Sequence, residues 1–427
     1  MLASRSASAL QRPSAAQQGR PVGGLPAKGR STPRRSPLCQ PLRVATIPST
    51  GTEQSEQPAQ GRVDLSAPPP FTLKELRDAI PEPCWEKDTF KSFAYLAADV
   101  GVVAGLAILA FTACPWWAWP LYWFAQGTMF WALFVVGHDC GHQSFSNNKF
   151  LNNFVGNIVH STILVPYHGW RISHRNHHAN HGHVENDESW HPVRKSLYDE
   201  MEPLARIGRL SLPWSMFAYP FYLWKRSPGK TGSHYDPNCD LFVTQTEKEQ
   251  CVASNLFLIA WLGVLGACTV QLGIPAMFNL YFMPYWFFVL WLDVVTYLQH
   301  HGSHDPEEKL PWFRGQEWSY LRGGLTTLDR DYGIFSRIHH SIGIHVVHHL
   351  FPQIPHYRLE TATDAVKPVM GPYYREPVKS GIFPTHLLEP LVRSFQNDHY
   401  VDDEGDVVFY KRDPNLSLSK ALKEQKK

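Results

Sequence analysis

Residues 114–142 read CPWWAWPLYWFAQGTMFWALFVVGHDCGH. From 116 to 137 no side chain is charged, and the run leads straight into His138 and His142. A helix needs about 20 mainly apolar residues to cross a bilayer. Side chains four apart share one helical face, and imidazole is the commonest protein metal ligand. The stretch therefore predicts a spanning helix that ends in a pair of metal ligands.

Two further clusters extend the pattern: His174-Arg175-Asn176-His177-His178 and His345-Val346-Val347-His348-His349. Ten of the 22 histidines lie between 138 and 191 and nine between 300 and 356, which leaves three elsewhere. Eight clustered imidazoles are too many for one tetrahedral zinc and point to a polynuclear site. The zinc-protease motif HExxH is absent. Glu188 and His191 match the Glu-x-x-His pattern of soluble di-iron bundles once, which we read as chance. Imidazole sites suit Zn, Cu, Fe or Ni. Zinc is redox-inert, and eight or more ligands divide naturally between two irons.

Four stretches reach spanning length, about 92–113, 116–137, 251–270 and 275–298, interrupted by only two charges, Asp99 and Asp293. The turns inside each pair lack Lys and Arg, whereas the flanking segments are rich in them. By the positive-inside rule the flanks share one face, in the cytosol or stroma. Parity then brings all three histidine clusters to that face. The expected fold is an all-α integral membrane protein of four transmembrane helices in two hairpins, with a helical di-iron cap on the stromal or cytosolic side. Residues 151–167 and 207–224, apolar but shorter or broken by polar residues, are expected to be interfacial or re-entrant helices.

Residues 1–50 hold no Asp or Glu but carry eight basic residues, from Arg5 to Arg43. That composition reads as an organelle transit peptide, followed by a linker at 51–80, a catalytic membrane domain at 81–395 and a tail at 396–427. Composition leaves mitochondrion and plastid both open. A net charge of +2 gives no nucleic-acid footprint, and seven scattered cysteines form no disulfide framework. Cys140, inside the first cluster, reads as a small packed residue. The mean hydropathy of −0.27 averages polar ends with very apolar stretches.

A metal pair just outside the bilayer suits a substrate whose tail lies in lipid. Iron with dioxygen can oxidise an unactivated methylene, and a tunnel of Trp, Tyr and Phe would hold the chain and exclude water. Chemistry alone allows desaturation, hydroxylation or epoxidation. A metal transporter is the non-enzyme alternative, but transporters place ligands near the midplane, and here the middles of the spans have none.

The spacing HDCGH, HRNHH, HVVHH resembles the membrane fatty acid desaturase family. Its flanks, HGHVENDESWHP at 181–192, WSYLRGGLTTLDRDYG at 318–333 and HLFPQIPHY at 349–357, are similar to plant and algal omega-3 desaturases. The likeness runs from about residue 80 into the tail, through YVDDEG at 400–405, and the transit-like extension makes the chloroplast form the more similar. It implies a third double bond placed in 18:2 and 16:2 chains of membrane glycerolipids, with dioxygen as co-substrate, two iron ions and electrons from reduced ferredoxin. It also implies His138, His142, His174, His177, His178, His345, His348 and His349 as metal ligands, with His300, beside His301, as a ninth. An omega-6 desaturase, acyl hydroxylase or acetylenase would share these ligands. No His-Pro-Gly-Gly haem motif is present, so no fused cytochrome b5 domain is expected.

Gln143, Gln299 and Arg358 depart from the family pattern without touching a box. His168, His181, His183, His191, His340 and His356 are expected to orient ligands or lie at the surface. Asp293, seven residues before His300, is offered as a partner of a ligand. Arg171 and Arg175 could meet a lipid headgroup or ferredoxin, or be solvated loop charges.

Overall fold

A computed structural model describes residues 63–417 apart from His304 and Glu307. The expected transit peptide, most of the linker and residues 418–427 lie outside the described residues. The described chain is mostly helical, with one short antiparallel pairing of Trp312–Phe313 with Val407–Val408.

Three helices are long and apolar enough to cross a membrane: Thr89–Ala113, Gln245–Leu272 and Ile274–His300. Each covers an expected span and reaches beyond it at the polar end. Asp88 caps the first through the Lys91 amide. Thr244 and Glu247 form a capping box on the second. That helix stops at Gly273, whose φ of 85° turns the chain into the third. The remaining expected span, 116–137, forms the helix Trp119–Gly141. It has spanning length, but Trp119, Tyr122, Trp123 and Gln126 hold it outside the apolar set. Almost its whole second half is buried by protein.

This helix packs tightly on Ile274–His300. A Cβ on Gly127 would lie 2.4 Å from the Phe287 Cβ and 2.6 Å from the Pro284 carbonyl oxygen. Trp131, Phe134, Val135, Phe288, Leu292 and Val295 bury their side chains in the seam, each stabilising the fold by about 1.5–3 kcal/mol. Val100, Ile108 and Leu109 on the first helix and Leu256, Ile259 and Leu262 on the second stay exposed, as lipid-facing residues do.

The two charged interruptions have partners. Asp99 accepts a 2.6 Å hydrogen bond from His340 Nε2. Asp293 accepts the Tyr219 backbone N–H at 3.2 Å. The expected interfacial stretches are broken: 151–167 holds Lys149–Ser161 and then a turn, and 207–224 holds the end of Pro203–Leu210, a tight turn at Trp214–Phe217 and Tyr219–Trp224.

Candidate metal centre

Four elements deliver the histidines. The last turn of Trp119–Gly141 carries His138, and His142 is its C-cap. Tyr167–Asn180 carries His174, His177 and His178. His300 ends Ile274–His300. The short helix Val346–Leu350, with His345 at its N-cap, carries His348 and His349. Asp329 sets that short helix by accepting the backbone N–H groups of His345 at 2.6 Å and Val346 at 2.8 Å, while Tyr374 donates to its other oxygen at 2.7 Å.

Segments far apart in sequence then meet. One nitrogen each from His138, His142, His174, His178 and His348 lie within 4.8 Å of one another. A second cluster joins His177, His300 and His349 within the same distance, and His345 Nε2 stands 3.2 Å from His300 Nε2. His178 and His349 stack with centroids 4.0 Å apart, so the clusters adjoin. Eight of the nine expected ligands are in one or the other, and His345 adjoins the second through His300.

The donor set fits metal ions. His142, His177 and His348 have buried Nε2 atoms without a hydrogen-bond partner, and His349 has neither nitrogen satisfied. Unpaired buried polar atoms are costly, and a metal ion supplies what they lack. The Nε2 atoms of His174 and His178, like those of His300 and His345, face each other at 3.2 Å. Two imidazole nitrogens held about 2.0–2.1 Å from one ion at a right angle would lie about 3 Å apart. Burial, then the neighbouring imidazoles, lowers His142, His174, His178, His345 and His349 well below the ordinary histidine range. The rings are thus neutral and ready to coordinate at neutral pH.

Carboxylates orient the rings from behind. Asp187, fully buried, accepts from His177 Nδ1 at 2.7 Å and His181 Nδ1 at 3.1 Å, and from the amides of Ser189 and Trp190 at 3.0 and 3.1 Å. Burial alone would raise its pKa, yet the two imidazoles hold it below the usual carboxylate range. Asp139 pairs with His356 Nδ1 at 2.8 Å and lies 3.7 Å from His138 Nδ1. Sequence reasoning did not single out either acid. His181 packs against His300 and His349, but Asp187 and Thr326 Oγ1 occupy both its nitrogens. It is a satisfied neighbour of the second cluster.

Other expectations resolve as follows. Asp293 bonds backbone, not a histidine. Arg171 is held by His168 and Gln250, and Arg175, whose side chain stays half exposed, pairs with Glu247. Glu188 forms a two-pronged ion pair with Arg226, which supports reading its Glu-x-x-His match as chance. Gln143 has a φ of 61°, where glycine is at home. Gln299 donates to the Ile342 carbonyl at 2.6 Å, and Cys140 is buried in the core.

A cavity of about 160 Å³ opens on the clusters. Trp131, Phe134, Trp170, Met216 and Leu292 line it beside His138, His174, His177, His300 and His345. Its walls can hold a hydrocarbon chain against the imidazoles.

Helices of membrane-crossing length that gather buried imidazoles into two adjoining clusters define a membrane-associated metal-dependent oxidoreductase class. The chain belongs to the fatty acid desaturase family, whose profile matches residues 114–379; a domain of unknown function matches residues 30–108. It is 58% identical over 376 residues (88% of this chain, 85% of the relative) to a temperature-sensitive sn-2 acyl-lipid omega-3 desaturase (ferredoxin), chloroplastic, of Arabidopsis thaliana. It is 60% identical over 354 residues (83% and 76%) to a chloroplastic omega-3 fatty acid desaturase of Ricinus communis. An endoplasmic reticulum omega-3 desaturase of Vigna radiata var. radiata is 57% identical over 357 residues (84% and 93%).

Proposed function

We propose that this protein is an omega-3 acyl-lipid desaturase that introduces a third cis double bond into 18:2 and 16:2 chains of membrane glycerolipids. The convergence of nine histidines beside an apolar cavity carries the reading. His138, His142, His174, His178 and His348 hold one iron, and His177, His300, His345 and His349 the other. Iron with dioxygen supplies the oxidising power. In the balanced change the two hydrogens removed from adjacent carbons combine with dioxygen, two electrons and two protons to give two waters. Reduced ferredoxin, named for two Arabidopsis relatives, provides the electrons.

The chain's own residues do the rest. Asp187 fixes the imidazole of His177, which faces an ion. Trp131, Phe134 and Leu292 hold the chain in line and keep water out. In the membrane, Trp119–Gly141 pairs with Thr89–Ala113 as one hairpin, and Gln245–Leu272 with Ile274–His300 as the other, so all histidine clusters lie on one face. The acid-free, arginine-rich residues 1–50 support an organelle address, and the chloroplastic relatives favour the plastid, with the clusters toward the stroma.

Expression in a host that contains linoleate, with working ferredoxin, tests this. Gas chromatography and mass spectrometry should show 18:3 with the new bond at the omega-3 position. A hydroxylated or acetylenic product, or a bond elsewhere, refutes it.

A further inference from the structure

The apolar cavity shares His300, His301, Asp398 and Tyr410 with a second, polar cavity of about 580 Å³. Pro306, Lys309, Asn397, Lys411 and Arg412 line that polar space and are exposed, so it is open to water. A polar space thus reaches His300, a proposed iron ligand, from outside. The omega-3 carbons lie near the methyl end of an acyl chain, far from its ester, so no oxygen-bearing end of the substrate belongs beside His300. Protons and water do: the balanced desaturation draws two protons from outside the substrate and gives off two waters.

Asp398 lines both spaces. It ends the helix Leu388–Asn397, its own N–H on the Ser394 carbonyl at 2.8 Å. Among the described residues its carboxylate makes no hydrogen bond or ion pair, whereas Asp293, the other acid of the apolar lining, takes the Tyr219 amide. Burial raises Asp398 to about 7, against the opposing pull of Arg393 and Lys309. It can therefore both hold and release a proton at neutral pH. Beside it, the Tyr410 hydroxyl meets His301 Nε2 at 2.9 Å. Burial, then the charge of Asp398, pushes Tyr410 well above the ordinary tyrosine range, so that hydroxyl keeps its proton. The other charged and titratable groups of the polar lining are Arg393, Asp305, Glu308, Lys309, Tyr400, Lys411 and Arg412; Tyr297, His399 and Arg209 stand on the apolar side. Glu308 is taken by Ser303 and Arg375, Arg393 by the Ser303 carbonyl, and His399 by backbone at both nitrogens.

We propose that Asp398 is the proton inlet of the metal centre, taking protons from water in the polar cavity and passing them inward past Tyr410 and His301. Each transfer moves one proton: the carboxyl loses it on the inner side and regains it from the solvent side. Two such transfers supply the two protons of the balanced change. This rests on the desaturase reading and names the residue that feeds it protons.

The test uses full-length, iron-loaded protein with reduced ferredoxin and a dilinoleoyl glycerolipid in micelles. Measured are kcat and KM against pH, iron per chain, and the infrared carboxyl band. A donor works only while protonated, so wild-type kcat should fall as pH rises through about 7. Asp398→Asn should lower kcat about a hundredfold and abolish that limb, with KM and iron near wild type, and Asp398→Glu should restore most of the rate. The wild-type-minus-Asn infrared spectrum should show a carboxyl band that titrates near pH 7. An iron-loaded Asp398→Asn with the wild-type kcat and pH profile overturns the proposal. If the Asn variant loses its iron, Lys309→Glu decides. Lys309 is exposed and lowers the Asp398 pKa, so reversing its charge should move the falling limb to higher pH, and an unmoved limb refutes the proposal. A missing carboxyl band refutes the proposal alone, whereas wild-type protein that forms no 18:3 refutes the desaturase reading and the proposal with it.

Discussion

Asp187 holds His177 of the second cluster and its neighbour His181 with one carboxylate and is itself held by two backbone amides. Removing it frees the rings to rotate and takes away the acceptor that orients His177. Loss of such a partner typically weakens metal binding 10- to 100-fold. Asp187→Ala should therefore lower bound iron and activity together, while Asp187→Asn, which keeps one acceptor, should lose less. Metal analysis of the purified variants checks this, and full iron in Asp187→Ala would remove the carboxylate from the account. All nine proposed ligands were legible in the sequence, eight from helical spacing within the boxes and His300 from family resemblance. Asp187 was not, because an acid ten residues after His177 has no periodicity to mark it. Its signal was density: three acids, Glu185, Asp187 and Glu188, lie among three histidines in 181–191. Asp139, inside the first box, was passed over because its partner His356 lies 217 residues away.

At the scale of elements, the Asp99–His340 pair joins the first membrane-length helix to the segment that leads into the third box. Both side chains are buried, and breaking such a pair by removing one partner typically costs about 3–5 kcal/mol. Asp99→Ala or His340→Ala should each lower the unfolding temperature in detergent markedly, and the double variant should lose less than the sum. Additive losses would mean the pair is not coupled. Gly137 makes a second join. A Cβ there would sit 2.1 Å from the ring of His160, which Phe134 stacks against and whose Nε2 meets the Phe134 carbonyl at 3.1 Å. Gly137→Ala should cost about 1–3 kcal/mol and disturb the neighbouring His138; thermal unfolding with iron analysis measures both. Hydropathy and length foretold the long helices well because lipid-facing residues dominate them. Trp119–Gly141 was read as a span like the others but falls outside the apolar set, since its second half is buried by protein and its last turn belongs to the metal centre. The broken stretch 207–224 escaped because its shape depends on what it packs against.

For the whole molecule, the central claim is that ligands from four elements form two iron sites, of five and four imidazoles, at the end of an apolar cavity. The division was unreadable from spacing, since two of the three boxes are split between the clusters: His177 parts from His174 and His178, and His348 from His345 and His349. A transporter would hold its ions among the spans, whereas here the imidazoles gather at helix ends and in the segments beyond them. Iron content per chain tests the claim most directly. Purified wild-type protein should bind about two irons per chain, following the two clusters. His300→Ala, which removes a ligand from the four-imidazole site alone, should keep about one. A single metal per chain in the wild type, zinc in place of iron, or loss of both irons from a folded His300→Ala would contradict it.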